Sequence, residues 1–553
     1  SLAIVHLSDR LFVLDRETEG RYSTIRENSD MRTVITLILA TIALQADAAD
    51  RPNFIVVYVD DLGWADTSVR MMDSDPDSAS DFHQTPHLEE LASRGTKFSC
   101  AYAPAPTCTP SRKSIQFGKT PGRLQYTFVH DVLALQRNLE WKDETSLADV
   151  VKAADSSYIT AHFGKGMSGE QMETIGYEVT DEVDGNADNG NFHGEYVSLK
   201  YRIPLPPDNP KRMVSLKKRS VDFVNKHGGK RPFFMMVSHY AVHVPHAARA
   251  ELIEKYRNLP RGKYCKDDDY LPVEEISKGK KISSWRLQYA AMVDEVDEGL
   301  GAIVAAVRKT GEFDNTYIIY TSDNGGGLTP NGTLRGGKAN LYEGGLRVPF
   351  VVAGPGIKNG MQCDIPIVQW DLLPTLHDLA DSDSTLPENL DGGSLRSVFE
   401  KANEGKVTRP VKAFVFHYPC YFAPPLSVIR MGDYKLMEHL LTGEQKLFNV
   451  NVDYQEKTNL IGEQPQKARE LKELMSRYLD SIEAEDIQDV YKARFAELNR
   501  FESMARQVHI QAIKLAKDDP DVIAAADARL ANDLLRFEKN RKECREKMSE
   551  KTF

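Results

Sequence analysis

Two short polar runs each follow an apolar, β-branched stretch. Asn53–Asp60 (NFIVVYVD) leads into Asp61-Leu62-Gly63, and Tyr317–Ser322 (YIIYTS) leads into Asp323-Asn324-Gly325-Gly326. If both stretches are strands of one parallel sheet, their carboxyl ends open on the side where α/β folds collect ligands. Adjacent carboxylates there repel one another unless a cation joins them. Asp60, Asp61, Asp323 and Asn324 are therefore a candidate all-oxygen metal set, which favours calcium or magnesium over zinc. Taken singly, each run also reads as an ordinary turn, because Asp and Asn are common turn formers after strands.

A third segment, Pro104–Gly118 (PAPTCTPSRKSIQFG), places Cys108 at the start of a helical run that has Pro110 in its first turn. Proline suits that turn, whose unpaired N–H groups attract anions. Arg112 stands four residues on, about one helical turn from Cys108, where its guanidinium can face the same ligand as a forked donor. The same local pattern also suits a free cysteine in a proline-rich loop.

These residues meet only if the strands between them align. From residue 53 apolar runs alternate with helical stretches, the signature of an α/β fold with a largely parallel sheet. The runs are Asn53–Asp60, Tyr158–Phe163, Pro232–His239, Tyr317–Ser322 and Arg347–Val352. Ser284–Lys309 is the clearest helix, with Leu287, Val293, Val296, Leu300 and Ile303 at helical spacing. From Val411 the segments VKAFVFHY, SVIRMGDYKLM and QKLFNV read as a small antiparallel sheet, covered by a helix over Gln464–Ala484. Ile487–Lys551 reads as a helical hairpin broken at Lys517–Asp521. The expected organisation is an upstream extension and leader over 1–49, a catalytic α/β domain over 50–400, a small α+β subdomain over 401–484 and a helical extension over 485–553.

The 553 residues are 41% hydrophobic, enough for a large core. A net charge of −11, with both signs mixed along the chain, points to solubility and away from nucleic acid. Met31–Ala49 resembles a signal peptide, with Arg32, an apolar stretch Thr33–Leu44 and an Ala46-Asp47-Ala48 cleavage site, the peptide spanning 31–48 and Met31 the expected start. That stretch is too short to span a bilayer, so a secreted or periplasmic protein without a stable membrane anchor is expected. Six scattered cysteines make neither a disulfide framework nor a zinc site.

Cys-Thr-Pro-Ser-Arg at 108–112 resembles the C-x-P-S-R signature of the type I sulfatases of the alkaline phosphatase superfamily, in which the cysteine is oxidised to Cα-formylglycine. From Pro52 to Leu460 further blocks resemble the family in family order: RPNFIVVYVDDLGW, FGK, HYAVHVPH, YAAMVDEVDE, SDNGG, LRGGKANLYEGGLRVPF, VQWDLLPTL, IRMGDYKL and LFNVNVDYQEKTNL. The resemblance implies an alkaline phosphatase-like fold, with a large mixed, mostly parallel sheet flanked by helices. It implies that Asp60, Asp61, Asp323 and Asn324 hold calcium, with magnesium the alternative. Cys108, matured by a formylglycine-generating enzyme, is implied as the nucleophile precursor. Arg112 would orient the aldehyde hydrate, Lys165 and Lys338 would contact sulfate, and His243 would serve the leaving oxygen. One hydroxyl of the hydrate would attack sulfur to give a sulfo-enzyme, and the other would collapse to expel sulfate. Where the family reads G-K-W-H, this chain has Gly164-Lys165-Gly166-Met167. Either His162 or His239 fills the missing place, or the leaving group needs less help there. The expected substrate is a sulfated carbohydrate. The rivals are a phosphonate or phosphate ester hydrolase of the same superfamily and a carbohydrate-binding relative without turnover.

Overall fold

Runs of Val, Ile and Phe without polar alternation make strands that must be covered on both faces, and such strands form the centre of this chain. The computed structural model describes residues 3–7, 10–14, 51–137, 139–167, 171–181, 190, 192–193, 203–266, 285–327, 329, 331–516 and 519–549. The chain divides into two units, Ser1–Arg51 and Pro52–Phe553. In the first, Ala3–Leu7 pairs antiparallel with Arg10–Leu14; the leader expected over 31–48 lies outside the described residues.

The second unit is built from β1 (Asn53–Val59), α1 (Cys108–Phe117), α2 (Leu147–Ala154), β2 (Ile159–Gly164), α3 (Met213–His227), β3 (Phe233–Ser238), α4 (Trp285–Lys309), β4 (Thr316–Ser322), β5 (Phe350–Ala353) and α5 (Leu372–Leu379). An eight-stranded sheet runs Met361–Cys363, Thr96–Phe98, β5, β4, β1, β3, β2, Val179–Thr180. It is mixed and mostly parallel: β5 alone runs against its neighbours. Successive residues of each strand enter opposite cores. Ile55, Val57, Met235 and Val237 pack under α3 and α4, whereas Phe54, Val56, Phe234 and Met236 pack under α1, α2 and α5.

Two expected boundaries move. The strand expected over Arg347–Val352 begins only at Phe350, because Pro349 has no N–H for the ladder. SVIRMGDYKLM is two strands, not one, folded back at Gly432, which takes φ +59°. The resulting antiparallel sheet is β6 (Phe414–Tyr418), β7 (Leu426–Met431), β8 (Tyr434–His439) and β9 (Gln445–Asn449). One of its faces packs on α6 (Pro465–Ser481) through Leu471, Met475 and Tyr478. The other carries Phe414, Phe416 and Met437 onto Tyr102 and Trp370 beside the large sheet. α7 (Ile487–Ala516) and α8 (Pro520–Ser549) form the expected hairpin, seated by Val490, Tyr491, Leu498 and Phe537. All six cysteines are free.

A buried ion cluster joins the small sheet to the loop that carries Lys338. Lys435 of β8 lies 2.8 Å from both Glu343 and Glu456. Glu343 also pairs with Arg347 and accepts from the Tyr102 hydroxyl at 2.6 Å, while its own backbone N–H donates to Glu456. Removing one partner of such a cluster strands the rest without water. Lys435→Met is expected to cost about 3–5 kcal/mol, read as a lower urea midpoint. A midpoint equal to wild type would show that the cluster does not hold the two parts together.

Candidate active site

Parallel register decides which side chains meet. Ser322 of β4 stands beside Val59 of β1, so Asp323 emerges at the level of Asp60. Ser238 of β3 lies beside Tyr58 on one side and Gly164 of β2 on the other. Four strands thus end together, and Asp60, Asp61, Lys165, Asp323 and Asn324 leave along one edge. Gly164 takes φ +97°, and a Cβ there would fall 2.0 Å from the Ser238 carbonyl oxygen. Only glycine lets the Lys165 N–H reach that carbonyl, at 2.7 Å. Asp61 adopts φ +64°, a left-handed conformation that Asp tolerates better than most residues. Its N–H donates to Asp323 Oδ1 at 3.0 Å.

α1 opens with Cys108 after an extended Thr107 and ends at left-handed Gly118. One ligand atom each from Asp60, Cys108 and Asp323 lies within 4.8 Å of the other two. Arg112, one turn into the helix, bridges the strand exits. Its Nε and Nη2 lie 2.9 and 2.7 Å from Asp323 Oδ2, and Nη1 donates to Ser238 Oγ at 2.5 Å and to the Lys165 carbonyl at 3.1 Å. Lys165 Nζ is 2.5 Å from Asp60, and Lys338 Nζ is 2.6 Å from Asp61. Asn324 Nδ2 donates to Asp61 Oδ1 at 2.8 Å. His243 Nδ1 donates to the Val244 carbonyl at 2.6 Å, which leaves Nε2 facing Asp61 Oδ2 at 3.6 Å. All nine residues expected as metal ligands or catalytic groups stand in this one cluster.

Its electrostatics follow from crowding. Burial and the neighbouring Asp60 push the Asp323 carboxyl up to about 7 despite Arg112. Burial would raise Asp60 as well, but Lys165, His243, Arg112 and Lys338 outweigh it and hold that group below the usual carboxylate range. Burial lowers His243 against the pull of Asp60 and Asp61. With all three carboxylates ionised, they balance Arg112, Lys165 and Lys338, so a bound divalent cation would leave the centre positive and suited to an anionic ester. The donors fit such a cation. Asp60 Oδ1 and Asn324 Oδ1 are buried oxygens without a hydrogen-bond partner, one from each strand exit, and hard cations take all-oxygen sets.

A cleft of about 440 Å³ opens over this cluster, lined by Asp61, Cys108, His243 and Lys338 and walled by Val129, Val244, Tyr289 and Phe422 among others. Two histidines line it. His246, three residues past His243, is one that the motif reading passed over, and burial pushes it down to about 4. Neither His162 nor His239 lines it. His239 follows Ser238 and so turns to the other face, against α4 beside Gly299, while His162 packs edge-on to Tyr177 at 5.3 Å. Met167 is buried among apolar side chains. Ser238, which anchors Arg112, was also passed over, since a strand-end serine carries no distinctive signal.

Residues 52–382 match the family model described as sulfatase, and residues 337–485 match the model for the N-sulphoglucosamine sulphohydrolase C-terminal region. A sulfatase of Formosa agariphila is 27% identical over 514 residues, 78% of this chain and 88% of that protein. The choline-sulfatase of Rhizobium meliloti is 26% identical, covering 74% of this chain and 82% of its own. The human N-acetylglucosamine-6-sulfatase is 28% identical over 57% of this chain and 60% of its own. Among solved structures, Ps i-CgsB in complex with k-i-k-neocarrahexaose superposes with a TM-score of 0.61 at 24% identity, covering 78% of this chain and 93% of that one. A protein solved with its substrate D-glucosamine-2-N,6-O-disulfate gives 0.57 at 22% identity, covering 78% and 98%. These two structural likenesses bear on the fold.

Calcium added to EGTA-treated protein is expected to raise its melting temperature; a hundredfold excess over Kd corresponds to about 2.7 kcal/mol. Asp61→Asn should remove most of that shift. A shift that survives the substitution would take Asp61 out of the metal set.

Proposed function

The chain belongs to the sulfatase family, and from that premise we propose that it hydrolyses sulfate esters of carbohydrates at Cys108, in its formylglycine form. The observation that carries this reading is the convergence of Cys108 with Asp60 and Asp323 at one helix start. The resemblance to sulfatases named for sugar substrates supports the carbohydrate.

Asp60, Asp61, Asp323 and Asn324 would hold calcium, which lowers the pKa of a coordinated hydroxyl and draws charge from a sulfuryl oxygen. Conversion of the Cys108 side chain to an aldehyde, the work of a formylglycine-generating enzyme, supplies a hydrate with one hydroxyl to attack sulfur and a second to release sulfate. The chain's other residues position and neutralise. Arg112, fixed by Asp323 and Ser238, holds position 108 against the cation set. The ammonium groups of Lys165 and Lys338 already stand at the carboxylates and offer charge to the equatorial oxygens of a transferring sulfuryl group. His243 fixes its Nδ1 proton on the Val244 carbonyl, so Nε2 is the atom that delivers a proton to the departing alcohol.

The same reading divides the chain into a leader and extension over 1–49, a catalytic domain over 50–400, a small subdomain over 401–484 and a helical extension over 485–553, and gives it a secreted or periplasmic location. No helix among the described residues is long and apolar enough to cross a membrane.

In protein from a host that matures sulfatases, mass spectrometry should find an aldehyde at position 108, and Cys108→Ala should abolish turnover of an aryl sulfate. Lys338→Ala should lower kcat by roughly 10²–10³, the usual loss for one charge-stabilising donor. Faster turnover of the matched aryl phosphate would transfer the chemistry to phosphorus.

A further inference from the structure

The lining of the cleft over Cys108 is of two kinds. Lys338 and His243 both stand at Asp61, while Val129, Val242, Val244, Tyr289 and Phe422 supply aliphatic and aromatic wall. Apart from Asp61 and Lys338, no described lining residue carries a full charge. Phe422 is 52% exposed and Val244 43% exposed, so both apolar surfaces face solvent while bordering the reacting centre. Phe422 comes from the segment between β6 and β7 of the small sheet. Phe128 and Tyr421 stand nearly perpendicular to its ring, with centroids 6.0 and 5.2 Å away, and hold it at a set tilt. A lone exposed aromatic is ordinary. One that borders the same cleft as Cys108 meets whatever is esterified to the sulfate.

We propose that Phe422, with Val244, is a stacking platform that selects sulfate esters of pyranose rings over acyclic ones. The inference rests on the reading of this cleft as the site of sulfate ester cleavage, and it deepens that reading. With the sulfate at the charged group around Asp61 and Lys338, the group that carries it meets the apolar side chains of the same cleft. A pyranose presents a C–H face to an aromatic ring and its hydroxyl rim to solvent, an amphipathic match for one ring beside a valine. A quaternary ammonium such as choline is recognised by several aromatic faces arranged as a cage, whereas the described wall offers one exposed phenyl ring, Phe422, and one buried phenol, Tyr289, which do not make a cage. Relatives named for choline and for N-acetylglucosamine 6-sulfate both exist; the wall sides with the sugar.

The test uses the matured full-length protein with monosaccharide 6-sulfates of N-acetylglucosamine and galactose, a fucose sulfate, and choline O-sulfate. Wild type should prefer at least one pyranose ester to choline O-sulfate. Phe422→Ala should raise KM for that ester roughly tenfold, the scale of one lost aromatic contact, with kcat and the melting temperature close to wild type. Phe422→Trp should restore KM, and Phe422→Leu, which keeps apolar area without a flat face, should recover only part. Choline O-sulfate turnover should be the same in all variants. Binding of the preferred ester to Cys108→Ala protein, followed by calorimetry, should weaken by the same factor when Phe422→Ala is added. This binding readout is independent of turnover, so a wrong nucleophile and a wrong platform give different results. Unchanged KM and binding in Phe422→Ala, or choline O-sulfate preferred to every pyranose ester, would overturn the platform.

Discussion

Burying three carboxylates beside one another is unfavourable unless positive charge is buried with them, and that constraint organises the whole site. Parallel pairing of β1 with β4 delivers Asp60 and Asp323 to the same level, whatever the rest of the chain does. The cations arrive from three other places: Arg112 on a helix that starts at the strand exits, Lys165 after β2, and Lys338 on the segment that precedes β5. Each is paired to a different carboxylate or bridges two. With its carboxylates ionised the arrangement is neutral by itself, and its oxygen set and surrounding cations fit one divalent cation and one anion together.

The small antiparallel sheet is part of this machinery through two routes. Lys435 and Glu456 clamp Glu343, five residues beyond Lys338, inside the interface between the sheets. Phe422 brings a ring from the same subdomain to the cleft wall. The candidate reacting centre is supplied by the large sheet, whereas its placement of Lys338 and the shape of its entrance depend on Phe422, Lys435 and Glu456, roughly 80 to 120 positions later in the chain.

Much of the candidate site was legible because strand ends announce themselves. Apolar runs that finish in Asp-Asp or Asp-Asn pointed to the candidate metal set, and the four-residue spacing of Cys108 and Arg112 put both on one helical face. Lys165, Lys338 and His243 were legible only through the family resemblance, since each sits on a loop whose path is set by tertiary packing. His246 was hidden in the same His-Val-Pro-His segment that yielded His243. Period-two alternation along β3 already assigns His239 to the face opposite Ser238. The three-residue strands Thr96–Phe98 and Met361–Cys363 were too short to leave a pattern and form only by pairing at the sheet edge. The break of β5 at Pro349 and the fold-back at Gly432 were both written in local chemistry that a longer apolar run obscured.

Every residue of the helix that begins at Cys108 is buried, and Cys108 itself is 7% exposed. A small ester can touch its side chain through the cleft, but another protein cannot close its own active site around that backbone without unwinding the helix and opening the sheet behind it. Any macromolecular catalyst that alters this cysteine must therefore work on the nascent, unfolded chain. A molecule that folds with a plain thiol at position 108 is closed to such a catalyst, while small molecules still reach the side chain through the cleft.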